Sequence, residues 1–270
     1  MSLSASPVDR VEAVLPHWNR RRIERAGWVR RRVNAAPLVV TGFVVATMLL
    51  AVFSATNLVY QVARKPTEMF FPFRSAFNKS PAETWRHYEP LFRIYSTAII
   101  TPELLAALAQ AEGAGNPVAH TYWRWQLTWH PLAIFAPASS AVGMYQMTDA
   151  AFAEARRYCM HDHAVVEDGC RPNDFFSRIV PGDAVELAAV FLDRNVQAIL
   201  ARRPNARVSA LQKQDLAALI HLCGAGPAAA FARRGYHLAP HERCGDLEAA
   251  TYLARVNTMK RQFLRLAADR

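Results

Sequence analysis

Thr101-Pro102-Glu103-Leu104-Leu105-Ala106-Ala107-Leu108-Ala109-Gln110-Ala111-Glu112-Gly113-Ala114-Gly115-Asn116-Pro117 is the segment on which the reading of this chain turns. A threonine cap, a proline at the first helical position and an acid in the first turn open a helix. Leu104, Leu105, Leu108 and Ala111 recur at helical spacing and predict its buried face. Gly113 suits its stop. Glu112 therefore sits at the end of a short apolar helix, with a glycine-rich turn behind it.

Working outward, other segments repeat the helical pattern. Ser80-Pro81-Ala82-Glu83 is a capping box with proline at the first position. Trp85, Tyr88, Phe92 and Tyr95 follow at helical spacing, and Pro90 predicts a kink or two short helices. Thr148 or Asp149 opens a helix through Phe152 towards Cys159. Val185, Ala189, Leu192, Val196 and Ile199 mark a long helix. Leu216 to Leu222 reads as a buried helix ended by Gly224-Ala225-Gly226-Pro227. Tyr252, Val256, Met259, Phe263 and Leu266 mark the last, with Asp246 as its cap. No segment shows strand alternation, so residues 80–270 are expected to form an all-α domain.

Upstream, Val33 to Ala63 is free of charge, and Pro37 to Tyr60 is mostly Val, Leu, Ala, Met and Phe. As a helix, residues 37–60 span about 36 Å, enough to cross a hydrocarbon core of about 30 Å. The basic stretches Arg20-Arg21-Arg22 and Arg30-Arg31-Arg32 precede it, which predicts a single-pass inner-membrane protein with its N-terminus in the cytoplasm. The expected organisation is a basic arm over 1–36, a transmembrane helix over 37–60, a juxtamembrane linker over 61–79 and a periplasmic domain over 80–270. In the linker, Met69, Phe70, Phe71, Phe73 and Phe77 suit either the lipid–water interface or the underside of the domain.

The net charge of +10 raises a nucleic-acid reading. Its distribution opposes one. Residues 1–63 carry eight arginines against Asp9, Glu12 and Glu24, a net +5 that membrane topology explains. The other +5 is spread over residues 64–270 without a basic block. Cys159, Cys170, Cys223 and Cys244 all lie on the predicted outer side, where disulfides form. Three connectivities are open, and nearness in sequence favours Cys159–Cys170 and Cys223–Cys244. No Cys-x-x-Cys spacing exists, and His161 and His163 beside Cys159 make a weak cluster, so no metal is expected.

The chemistry-bearing residues begin with Glu112. A carboxylate in the last turn of a helix meets the negative end of the macrodipole, and apolar walls would add a desolvation cost. Both effects favour the protonated form that a general acid needs. About thirty residues on, Ser139-Ser140-Ala141-Val142-Gly143-Met144-Tyr145-Gln146 supplies a glycine-opened turn with an amide.

These residues resemble the lytic transglycosylase family, whose catalytic domain has a lysozyme-like helical fold. Four of its motifs match in order across about 150 residues. Glu112, Asn116 and Pro117 match Glu-Ser-x-x-Asn-Pro, with Gly113 where serine is usual. Gly143 and Gln146 match Gly-Leu-Met-Gln, with Met144 and Tyr145 replacing leucine and methionine. Ala225-Gly226-Pro227 ends the third motif, with Cys223 and Gly224 replacing its tyrosine and asparagine. Glu248, Tyr252, Leu253 and Val256 match the fourth.

The resemblance implies cleavage of the β-1,4 bond between N-acetylmuramic acid and N-acetylglucosamine in peptidoglycan strands, with a 1,6-anhydro product and no cofactor. Glu112 would be the acid and base. Gln146 would bond a sugar or its N-acetyl group, Met144 and Tyr145 would line the same wall, and Tyr252 would hydrogen-bond Glu112. Asn116 would fix the turn. Ordinary glycosidases need two carboxylates, whereas this scheme needs one, and Thr121 to Gly143 contains no Asp or Glu. Asp149 and Asp174 are the distant acids that folding could bring in. Trp123 and Trp125 cannot share a helix face, and Trp125 is the candidate for stacking on sugar. His221, in a buried helix, is read as structural. A muramidase hydrolysing the same bond and a peptidoglycan-binding scaffold with weakened catalysis are the alternatives.

Overall fold

A computed structural model describes residues 17–65, 68–69, 75–173 and 176–269, with side chains from residue 37 onward. Residues 1–16 of the basic arm, Phe70, Phe71 and Phe73 of the aromatic run, and Asp174 lie outside the described residues. The chain divides after Tyr60 into two compact units.

The first unit is helical. Helix α1 runs His17–Arg64. Within its stretch Pro37–Arg64 an 18-residue window has a mean hydropathy of 2.4 and no buried residue, and this is the one helix among the described residues long and apolar enough to cross a membrane.

The second unit is mostly helical, with α2 (Pro81–Ile94), α3 (Pro102–Gly113), α4 (Asp149–Ala155), α5 (Pro181–Ala201), α6 (Ala210–Cys223), α7 (Ala225–Arg233) and α8 (Ala249–Ala268). Helix α3 lies at its centre. Every side chain from Leu104 to Ala109 is at most 1% exposed, because α8, α2 and α5 pack around it. The sequence suggests one buried face, and the structure buries the whole middle of the helix. Ala106, Ala107 and Ala109 let neighbouring helices approach where larger residues would hold them off. Burying each leucine here contributes about 2 kcal/mol.

The caps form as their residues dictate. Ser80 and Glu83 make both bonds of a capping box. The hydroxyls of Thr101 and Thr148 accept from Leu104 and Ala151 backbone N–H groups. Helix α2 continues through Pro90 without a break. That proline lies in its last turns, while Trp85, Tyr88 and Phe92 hold the helix against the core. Two terminal assignments change. Asp246 lies between two short strands, and α8 is instead preceded by Glu248, which makes no side-chain capping bond. Gly224-Ala225-Gly226-Pro227 does end α6, but it also begins α7, whose first turn tolerates the proline.

Among the described residues, three antiparallel hairpins interrupt the helices: β1 (Trp123–Trp125) with β2 (Phe135–Pro137), β3 (Cys159–His161) with β4 (Ala164–Val166), and β5 (Arg243–Cys244) with β6 (Leu247–Glu248). The unit is mostly helical, as expected, with these few short strands added. Cys159 pairs with Cys170 and Cys223 with Cys244, at Cα separations of 5.5 and 5.2 Å. The first bond closes the β3–β4 hairpin, and the second ties the end of α6 to β5.

Described residues at both ends of the 61–79 segment contact the rest of the second unit. The second unit begins at Gln61. Lys65 Nζ donates to the carbonyls of Ala141 and Ser139, and Lys79 N donates to Ala114 O.

Candidate active site

The end of α3 is built for close approach. Ala114, not Gly113, takes the left-handed position, with φ of 49°, and Gly115 N–H reaches back to Ala109 O. Gly113 is the last helical residue. A Cβ there would stand 2.8 Å from both the Cα and the carbonyl oxygen of Met144, so the helix end abuts the backbone of the second motif.

That second segment is a tight turn. Val142 and Met147 exchange backbone hydrogen bonds, and Gln146 N donates to Gly143 O across it. Gly143 has φ of 79°, and a Cβ there would fall 2.2 Å from Arg178 O, so only glycine fits. The corner sends Met144 and Tyr145 inward. They are 0% and 1% exposed, and Tyr145 Oη donates to Leu105 O at 3.2 Å. This corrects the expectation that they line a substrate wall: they join the core. Gln146 emerges from the turn into a cleft, its Nε2 donating to Gly143 O at 2.9 Å.

The cleft has a volume of about 680 Å³ and brings Glu112 and Gln146 together. Ala111, Gly113, Ala114, Leu222 and Leu247 give it apolar surface, while Asn78, Gln110, Thr121, Tyr122, His221 and Arg255 add polar groups. Glu112 is the one carboxylate among its described lining residues, with 19% of its side chain exposed. Asp149 is turned away, 72% exposed and paired with Arg178 at 2.8 Å.

Tyr252, on α8, donates its Oη to Glu112 Oε1 at 2.5 Å, the hydrogen bond expected of it. Burial, and secondarily the negative charge of Glu112, pushes the Tyr252 hydroxyl well above its ordinary range, so it remains a donor. His221 Nε2 stands 3.8 Å from the same Oε1. Among the described residues, nothing donates to Oε2. Gln110 is locked behind the site by Thr84 Oγ1 at 2.7 Å and Lys79 O at 3.0 Å. Asn116 is buried, its Oδ1 accepting from Val118 N–H at 3.0 Å, and so holds the turn after α3.

Trp125 is not in this cleft. It lies 70% exposed on β1, its ring tilted against that of Phe135 with centroids 4.8 Å apart. Tyr122 is the aromatic that lines the cleft instead.

His221 and Arg255 are the functional candidates that sequence reasoning passed over. Arg255 follows Tyr252 by three residues, hence on the same helix face, a signal available once Tyr252 is singled out. His221 carried no such signal inside an apolar helix. Among the described residues no cluster of His, Cys, Asp and Glu is fit to hold a metal. No family model matches the chain, and no curated protein matches it either.

Proposed function

We propose that the protein is a membrane-anchored peptidoglycan lytic transglycosylase with a lysozyme-like helical domain. The observation that carries this reading is Glu112, the one carboxylate among the described residues of the cleft, held by Tyr252 and facing the same space as Gln146. A glycosidase that activates water commonly needs a second carboxylate some angstroms away. A transglycosylase replaces the water with the substrate's own hydroxyl, so one carboxyl group serves twice.

Glu112 first gives its proton to the glycosidic oxygen between N-acetylmuramic acid and N-acetylglucosamine, and the C1–O bond breaks. The muramic N-acetyl oxygen stabilises C1. The C6 hydroxyl then attacks C1, and Glu112 takes its proton back as the 1,6-anhydro bond closes. Tyr252 occupies Oε1, which leaves Oε2 for the travelling proton. Gln146, Tyr122 and the polar rim bind the sugars. General acid–base catalysis of this kind contributes about 10²- to 10⁴-fold.

Helix α1 anchors the protein, with the arginine-rich arm in the cytoplasm and the second unit in the periplasm. Two disulfides in that unit suit an oxidising compartment.

The test is mass spectrometry of muropeptides released from purified sacculi by the full-length protein and by Glu112→Gln. Anhydro-muramic ends from the wild type alone support the proposal. Reducing ends would make the protein a muramidase. Equal, background release by both proteins would leave a binding scaffold.

A further inference from the structure

The β1–β2 hairpin carries the most exposed apolar side chains of the second unit. Leu127 and Trp129, in the loop joining its strands, are wholly exposed, and Trp125 is 70% exposed. A soluble surface seldom presents two tryptophans and a leucine within five residues. From Thr121 to Gly143 the segment holds Arg124 and His130, no lysine and no acid.

The hairpin is also pinned to the residues where α1 ends. Gln61 Nε2 donates to Leu132 O, within the same loop, at 2.7 Å. Lys65 Nζ donates to Ser139 O, just beyond β2, at 3.2 Å. Glu68, fully buried, accepts from Trp123 Nε1 on β1 at 2.6 Å and pairs with Lys65 at 3.1 Å. Three polar contacts thus fix the loop, β1 and the segment just beyond β2 beside Gln61, Lys65 and Glu68.

We propose that this hairpin is a second membrane contact, with Trp125, Leu127 and Trp129 resting in the lipid–water interface next to the exit of α1. Tryptophan favours that layer because its ring is apolar and its N–H is polar. A loop without carboxylates meets no repulsion from lipid phosphates, and Arg124 can pair with them. The hairpin thereby gives the second unit a bilayer contact of its own. Tyr122, immediately before β1, lines the Glu112 cleft, so the proposed contact and the cleft lie on neighbouring parts of the chain. This inference rests on the membrane-anchoring reading of α1 and not on the proposed catalysis.

Full-length protein is reconstituted into phosphatidylcholine vesicles, with and without lipids brominated at shallow acyl positions. Tryptophan emission of the wild type is compared with Trp125→Phe/Trp129→Phe, a pair that preserves ring packing, so that the difference isolates these two side chains from the other tryptophans. The expected result is that the difference emission is blue-shifted and is lost in brominated vesicles. Equal difference emission in both vesicle types overturns the proposal. It points to a glycan platform if soluble glycan strands then shift the emission, and to self-association if protein concentration does. Failure of the protein to float with vesicles at all would overturn the anchoring reading itself.

Discussion

Tyr252 Oη and Glu112 Oε1 are 2.5 Å apart, a hydrogen bond between the central helix α3 and the last helix α8, 140 residues away in sequence. The phenol holds one carboxylate oxygen, and among the described residues nothing donates to the other. A hydrogen bond to a charged group is worth about 1.5–3 kcal/mol. Tyr252→Phe keeps the ring in the core and removes only that bond. If Glu112 is the acid of the proposed reaction, the variant lowers kcat for glycan cleavage by about 10- to 100-fold with little change in KM, measured by the rate of anhydro-muropeptide release. An unchanged kcat would show that the hydroxyl does not position the acid.

The same burial has a consequence at high pH. Desolvation holds the hydroxyls of Tyr145 and Tyr252 well above 10.0 in the folded protein. In the unfolded chain they lose their protons near pH 10. Above that pH the unfolded state therefore binds fewer protons than the native state, and stability falls as pH rises. Below it the effect is absent. Each tyrosine contributes a slope of up to about 1.4 kcal/mol per pH unit. Denaturant unfolding of wild type and Tyr145→Phe from neutral to alkaline pH checks this: the variant should lose stability less steeply above pH 10. Parallel curves would contradict it.

How much of this was legible in the sequence follows from the range of the interactions. Helix starts were legible because a cap acts over three residues, as Ser80 with Glu83 and Thr101 with Leu104 show. The strands were not, because β1, β3 and their partners are three residues long and contain barely one period of alternation. Helix α7 was hidden by Gly226 and Pro227, which read as breakers unless the proline is known to fall in a first turn. At the site, Glu112, Gln146 and Tyr252 were found through motif spacing. Met144 and Tyr145 were misplaced because the side-chain directions of a tight turn depend on Gly143 and its left-handed backbone. His221 became visible only once α6 was seen to pass Glu112.

Gly113 offers a direct test of how closely the two motif segments pack. A Cβ there meets backbone atoms of Met144 at 2.8 Å, and backbone does not yield as a side chain does. Gly113→Ser, which introduces the residue common in the family this chain resembles, should therefore force the turn at 143–146 away from α3. Overpacking of this kind costs about 1–3 kcal/mol. The expected outcome is a lower midpoint in denaturant and weaker cleavage, because Gln146 moves relative to Glu112. A variant as stable as the wild type and equally active would mean that α3 and the turn can separate freely.

The two disulfides should differ in what their loss does. Their loops span 11 and 21 residues, and chain entropy assigns each about 3 kcal/mol. Removing either pair by alanine should therefore lower thermal stability by a similar amount. Their positions are not equivalent. Cys223 follows His221 and Leu222, both of which line the cleft, whereas neither Cys159 nor Cys170 lines it. With Cys223→Ala/Cys244→Ala, the end of α6 and the strand leading to Leu247 lose their tie, so two walls of the cleft loosen at once. That variant should lose kcat well below its melting temperature, while Cys159→Ala/Cys170→Ala should keep kcat until it unfolds. Melting curves paired with muropeptide release across temperature separate the cases. Equal loss of kcat in both variants would show that general stability, and not the geometry around Glu112, sets the effect.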